Sequence, residues 1–129
     1  MTNTNGEPFI LVVDDHETNI ELMTRMLRRT NFNVMSAYDG EEACRILEEH
    51  TPLLILSDIM MPRMDGYQLL QHVRGHARLE QIPFIFVSAK SNQEYLERGL
   101  AMGATEYLAK PFRPQELIET VQRHAAAMF

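Results

Sequence analysis

Five short apolar runs, separated by stretches that carry helix-start signals, constrain this chain more than anything else in it. The runs are "FILVV" (9–13), "NVMSA" (33–37), "LLILS" (53–57), "FIFVS" (84–88) and "EYLAK" (106–110). Their length and their Val, Ile and Phe content favour strands over buried helix. Between them, Asp39 with Glu42, Asp65 with Gln68, and Ser91 with Glu94 read as capping boxes: a side chain accepts from an N-terminal amide and is answered three residues on. Pro114 suits the first turn of a last helix, and Phe112 with Leu117 stand at hydrophobic-staple spacing. A first helix over 17–30 carries Ile20, Met23 and Leu27 on one face. Strands that alternate with helices make a parallel sheet with right-handed crossovers. Runs apolar on both faces require helices on both sides. The expected fold is a three-layer, doubly wound α/β domain.

Length allows one domain with a real core, since the chain has 129 residues. Residues 1–8 are expected as a disordered polar tail and 9–129 as the domain. Apolar residues make up 45% of the sequence, so a globular chain is expected. A net charge of −6 argues against a nucleic-acid surface, which needs a basic face. No apolar run nears the ~20 residues needed to cross a bilayer, and the N-terminus lacks a signal-peptide pattern. The single cysteine, Cys44, excludes an internal disulfide and fits a reducing compartment. The expectation is a soluble cytoplasmic protein with no membrane partner.

In doubly wound sheets, ligands bind beyond the carboxyl ends of the strands. There the sequence places Asp14 and Asp15 after the first run, Asp58 after the third, Ser88 at the end of the fourth and Lys110 at the end of the fifth. A carboxylate directly after a buried strand, as in "PLLILSDIMMPRMDG", is explained if the strand aims Asp58 into a pocket shared with Asp14 and Asp15. Three carboxylates together repel one another and call for a cation. Oxygen ligation suits Mg²⁺, with Mn²⁺ as an alternative. A carboxylate beside such an ion, with a lysine and a hydroxyl nearby, has the parts for phosphoryl transfer to Asp.

With these motifs in order, together with "SDIMMPRMDG", "SA" at 88–89 and "KPF" at 110–112, the chain resembles response-regulator receiver domains over about Phe9 to His124. The resemblance implies Asp58 as phosphoacceptor, Asp14 and Asp15 as metal-binding acids, and the Met60 main-chain carbonyl as a further metal ligand. It implies Ser88 as the phosphate-binding hydroxyl, Lys110 as the site lysine and Tyr107 as a switch aromatic. It also implies a flavodoxin-like sheet in the order 2-1-3-4-5 and a cis bond before Pro111. The function implied is a phosphorylatable module of a two-component system or phosphorelay. Its partners would be a histidine kinase or histidine phosphotransfer protein and an effector. Such a module catalyses its own phosphorylation and slow dephosphorylation without being a dedicated enzyme. It stands alone or belongs to a longer protein.

Other readings accompany these. Asp14 and Asp15 could be helix caps, Ser88 a buried strand hydroxyl, and Tyr107 ordinary packing. His72 and His76 stand i, i+4 but lack the further ligands a zinc site needs. His16 reads as a loop residue; Arg25, Arg28 and Arg29 read as the wet face of the first helix. Cys44 reads as a partly buried helix residue. Leu22 and Met26 either widen the core stripe or form an exposed patch. A phosphohydrolase acting through an aspartyl-phosphate would need a second acid where Met60 stands. A flavin site would need a Ser/Thr/Gly-rich phosphate loop where "DDHETN" stands. A degenerate receiver would lack part of the acid, hydroxyl and lysine set.

Overall fold

The computed structural model describes residues 8–90 and 92–126. Strands β1 (Phe9–Val13), β2 (Asn33–Ala37), β3 (Leu54–Ser57), β4 (Phe84–Ser88) and β5 (Glu106–Ala109) alternate with helices α1 (Glu17–Arg28), α2 (Gly40–Glu49), α3 (Gly66–Arg74), α4 (Gln93–Ala101) and α5 (Pro114–Ala126). The strands form one sheet in the order β2-β1-β3-β4-β5, with every pairing parallel. The period-2 alternation of each strand sorts its side chains between two cores. Leu11, Val13, Ile55, Phe84 and Phe86 join Leu47, Leu69, Leu70 and Val73 from α2 and α3. Ile10, Val12, Leu54, Leu56, Ile85 and Val87 join Ile20, Met23, Leu27, Leu117 and Val121 from α1 and α5. The doubly wound expectation holds, and the Lys110–Pro111 peptide is cis. The expected N-terminal tail lies outside the described residues except for Pro8.

Several boundaries differ from the sequence reading. Leu53 precedes β3 and Lys110 follows β5, each by one residue. The first helix stops at Arg28 rather than Thr30: Asn31 adopts φ 67°, and the Thr30 hydroxyl donates to Leu27 O at 2.7 Å. A left-handed Asn just past the last turn is a common helix stop. Asp39 does cap α2, accepting from Glu42 N at 2.8 Å. However, Glu42 answers Tyr38 N instead of Asp39 N, so that box is displaced by one residue. Asp65 and Gln68 make the full reciprocal box at α3. At α4 the cap is Asn92, which accepts from Tyr95 N at 3.2 Å; Ser91 lies outside the described residues. Pro114 opens α5 as expected, and Phe112 packs against the core that contains Leu117.

Candidate functional site

The carboxyl ends of β1, β3 and β5 bring Asp14, Asp15, Asp58 and Lys110 together. Asp14 is fully buried. Its Oδ1 accepts from the His16 amide at 2.9 Å; its Oδ2 accepts from Lys110 Nζ at 2.7 Å and Asn19 Nδ2 at 3.3 Å. Neither Asp14 nor Asp15 is the cap of α1, whose N-cap is His16. Asp58 is buried as well. One of its oxygens accepts from Ile59 N at 2.7 Å, and the other faces Lys110 Nζ at 3.3 Å. Lys110 thus bridges the carboxylates of the first and third strands.

One lysine against three carboxylates leaves two negative charges unmatched. At an effective dielectric near 20, like charges ~4 Å apart repel by about 4 kcal/mol. A divalent cation fits this donor set by charge and by chemistry. Candidate ligand atoms of Asp14, Asp15, His16 and Asp58 all lie within 4.8 Å of one another. Asp15 Oδ1 is also buried without a hydrogen-bond partner among the described residues, an oxygen that such an ion would satisfy.

Ser88 is buried at the end of β4, and its hydroxyl oxygen accepts from Lys90 N at 3.1 Å. Tyr107 lies on β5 with its ring against Phe86, centroids 6.2 Å apart. Its hydroxyl is already buried and has no hydrogen-bond partner among the described residues. Burial pushes the Tyr107 phenol up, with the Ser88 hydroxyl beside it pulling the other way. Met60 is 51% exposed at the rim, and Lys90 is exposed too.

Two features were missed from sequence. Gly66, given no role of its own by the sequence, donates its amide to Ile59 O at 2.7 Å. A Cβ there would stand 2.2 Å from Asp58 O, so the loop that carries Asp58 closes directly on this glycine. His16, read as a loop residue, places Nδ1 at 3.3 Å from Asp14 Oδ1 and 3.1 Å from Asp15 Oδ1. Its membership in the cluster follows from the backbone turn after β1, which residue spacing does not reveal.

The remaining alternatives resolve simply. Met26 is buried and widens the core stripe, whereas Leu22 is 48% exposed. Leu22 lines a cleft of about 90 Å³ with Asn19, Met23, Lys110 and Phe112. His72 and His76 stack at 4.2 Å, and His76 Nδ1 contacts His72 O at 2.7 Å; they belong to no metal-ligand group among the described residues. Arg25, Arg28 and Arg29 are exposed on α1 and its cap. Burial pushes the half-buried Cys44 thiol up, away from thiolate reactivity.

A parallel sheet with an acid-lined cleft at its carboxyl edge, bridged by a lysine, defines a doubly wound domain with its polar groups gathered where such sheets bind ligands. The sequence model described as "Response regulator receiver domain" matches residues 10–122, and the chain belongs to that family. It is 36% identical over 120 residues to the response regulator GtcR of Aneurinibacillus migulanus, covering 93% of this chain and 48% of GtcR. The chain therefore spans about half the length of that relative. Among solved structures it resembles the receiver domain of a signal transduction histidine kinase from Syntrophus aciditrophicus, with 33% identity, TM-score 0.87, and 94% and 92% of the two chains covered. It also resembles the receiver domain of the sensor histidine kinase PA1611 of Pseudomonas aeruginosa, with 33% identity, TM-score 0.85, and 92% and 98% covered. That receiver holds a magnesium ion in its active-site cleft. This chain is accordingly a receiver domain of the two-component response-regulator type, with no helix among the described residues long and apolar enough to cross a membrane.

Proposed function

We propose that this receiver takes a phosphoryl group from a phosphohistidine donor onto Asp58 and then presents an altered partner-binding surface. The observation that carries this reading is Lys110 Nζ lying 2.7 Å from Asp14 and 3.3 Å from Asp58. In the transfer, the bond from phosphorus to the donor imidazole nitrogen breaks and a bond to an Asp58 oxygen forms. The electron pair leaves with the imidazole. Asp14, Asp15, Asp58 and the Met60 main-chain carbonyl would hold the divalent cation, Mg²⁺ or Mn²⁺. That ion supplies charge neutralisation to the acids and to the phosphoryl oxygens. Lys110 shifts from the carboxylate pair to a phosphoryl oxygen. The Ser88 hydroxyl donates a charge-assisted hydrogen bond to another.

Movement of Ser88 toward the phosphoryl group alters the packing beside the buried Tyr107 hydroxyl, and this links the site to the β4–β5 surface. Both arrangements pre-exist, and phosphorylation shifts their ratio. The donor is a histidine kinase or histidine phosphotransfer protein; the effector reads the altered surface.

Acetyl phosphate with Mg²⁺ should add one phosphoryl group, read by intact mass because the chain has no tryptophan. Asp58→Asn and metal chelation should each abolish the addition. Equal labelling of the Asn variant would overturn the assignment.

A further inference from the structure

We infer that His16 is itself a ligand of the divalent cation, making this a mixed oxygen–nitrogen site that favours Mn²⁺ over Mg²⁺. The inference rests on the reading above that Asp14, Asp15 and Asp58 hold a divalent ion, and it assigns the site's metal preference to one residue of this chain.

His16 occupies the N-cap of α1 but makes no side-chain capping bond, in a position where Ser, Thr, Asp and Asn are preferred for capping. Its main-chain amide is tied to Asp14 Oδ1 at 2.9 Å, which fixes the residue beside the cleft. The ring then sets Nδ1 3.3 Å from Asp14 Oδ1 and 3.1 Å from Asp15 Oδ1. Neighbouring donors of an octahedral ion with bonds of ~2.1 Å stand about 3 Å apart, so both separations match octahedral edges. Candidate ligand atoms of Asp14, Asp15, His16 and Asp58 fall within 4.8 Å of one another. Asp15 Oδ1, the carboxylate oxygen closest to the ring nitrogen, is buried and makes no hydrogen bond among the described residues. The ring is 68% exposed, so its other nitrogen can stay hydrated while Nδ1 faces the acids.

The chemistry then discriminates between ions. Mg²⁺ is a hard ion that takes oxygen and gains little from an imidazole. First-row transition ions accept imidazole more readily than Mg²⁺ does, and Mn²⁺ is the weakest binder of that series. The simpler alternative is that His16 Nδ1 only donates a proton to the carboxylates and orders the turn. In that case its removal would weaken every divalent ion alike, or none.

The test is binding of Mn²⁺ and Mg²⁺, each alone, to the wild-type chain and to His16→Ala, with His16→Asn as a second variant. Pulsed EPR on the Mn²⁺ complex reads the ligand directly. The wild type should show coupling to an imidazole nitrogen that disappears in both variants. Mn²⁺ affinity should fall roughly tenfold or more, while Mg²⁺ affinity stays within about twofold. Absence of imidazole coupling in the wild type, or equal changes for both ions, would overturn the inference while leaving the acidic site intact. Failure of the wild type to bind either ion would overturn it together with the metal reading of the site; Asp15→Asn, which should weaken both ions, serves as the control for that reading.

Discussion

Gly66→Ala should displace the loop that carries Asp58, although the change adds one methyl group at the first residue of a helix. The added carbon would meet Asp58 O at 2.2 Å, Ile59 Cα at 2.9 Å and the Phe86 ring at 2.9 Å, where ordinary contacts lie at 3.4–4 Å. Two of the three obstacles are main chain, so a side-chain rotation cannot relieve them. Overpacking of this kind costs about 3 kcal/mol. Alanine's gain in helix propensity and its smaller unfolded-state entropy offset up to ~1 kcal/mol. The net loss is about 2 kcal/mol, or roughly 6–10 °C in melting temperature for a domain of this size. Because the displaced atoms belong to the Asp58 backbone, labelling by acetyl phosphate should slow by roughly 10²-fold, the effect of ~1 Å misplacement.

Two other glycines calibrate the argument. Gly99→Ala meets side chains rather than main chain, the Phe86 ring at 2.9 Å and the Tyr67 ring at 3.8 Å, and should cost about 1 kcal/mol. Gly75→Ala meets Gln71 O at 3.2 Å in an ordinary helical conformation, and should stay within about 0.5 kcal/mol of wild type. Thermal melts and labelling rates for the three variants decide the matter. If Gly66→Ala matched Gly75→Ala in both, close packing of Gly66 against Asp58 would not be what holds the site.

Three further outcomes are expected. Leu22→Asp should slow transfer from a phosphohistidine protein, because Leu22 lies exposed beside Lys110 and Phe112, while small-donor labelling persists. Met26→Asp, by contrast, should unfold the domain, since it buries an unpaired charge; equal behaviour of the two variants in a melt would refute the distinction. Met60→Asn should shorten the phosphoryl lifetime by offering a polar group to an attacking water at the rim; a decay rate that is unchanged or slower would show that Met60 does not gate that water. The Glu42 amide and the Arg63 guanidinium hold the Asp39 carboxyl below its usual range. The stability this gives is present above the unfolded-state pKa of ~3.9 and lost as pH falls through the lower folded value. Asp39→Asn should therefore flatten the stability profile below about pH 4, and an identical slope in urea titrations of both proteins there would exclude the mechanism.

The element order, the two faces of the sheet and the carboxylate–lysine set were legible because each rests on a period or a strand end. Val13-Asp14 and Ser57-Asp58 mark where a buried strand meets solvent, and that edge is where such a sheet gathers its chemistry. The misses share a different origin. Asn92 and Ser91 are both good caps, and only the turn after β4 selects between them. Met26 and Leu22 lie on adjoining stripes of α1, and α5 on its flank decides which is covered. Gly66 and His16 act through backbone approach and loop curvature, which residue type and spacing do not encode.

Asp14 and Lys110 are separated by 96 positions along the chain yet meet at 2.7 Å. The pocket is therefore finished only when the first strand and the last are both in place around the third. A chain still leaving the ribosome, or one frayed at β5, carries the acids but lacks their counter-charge. Completion of the site is in this way tied to completion of folding: the acidic edge gains its lysine last.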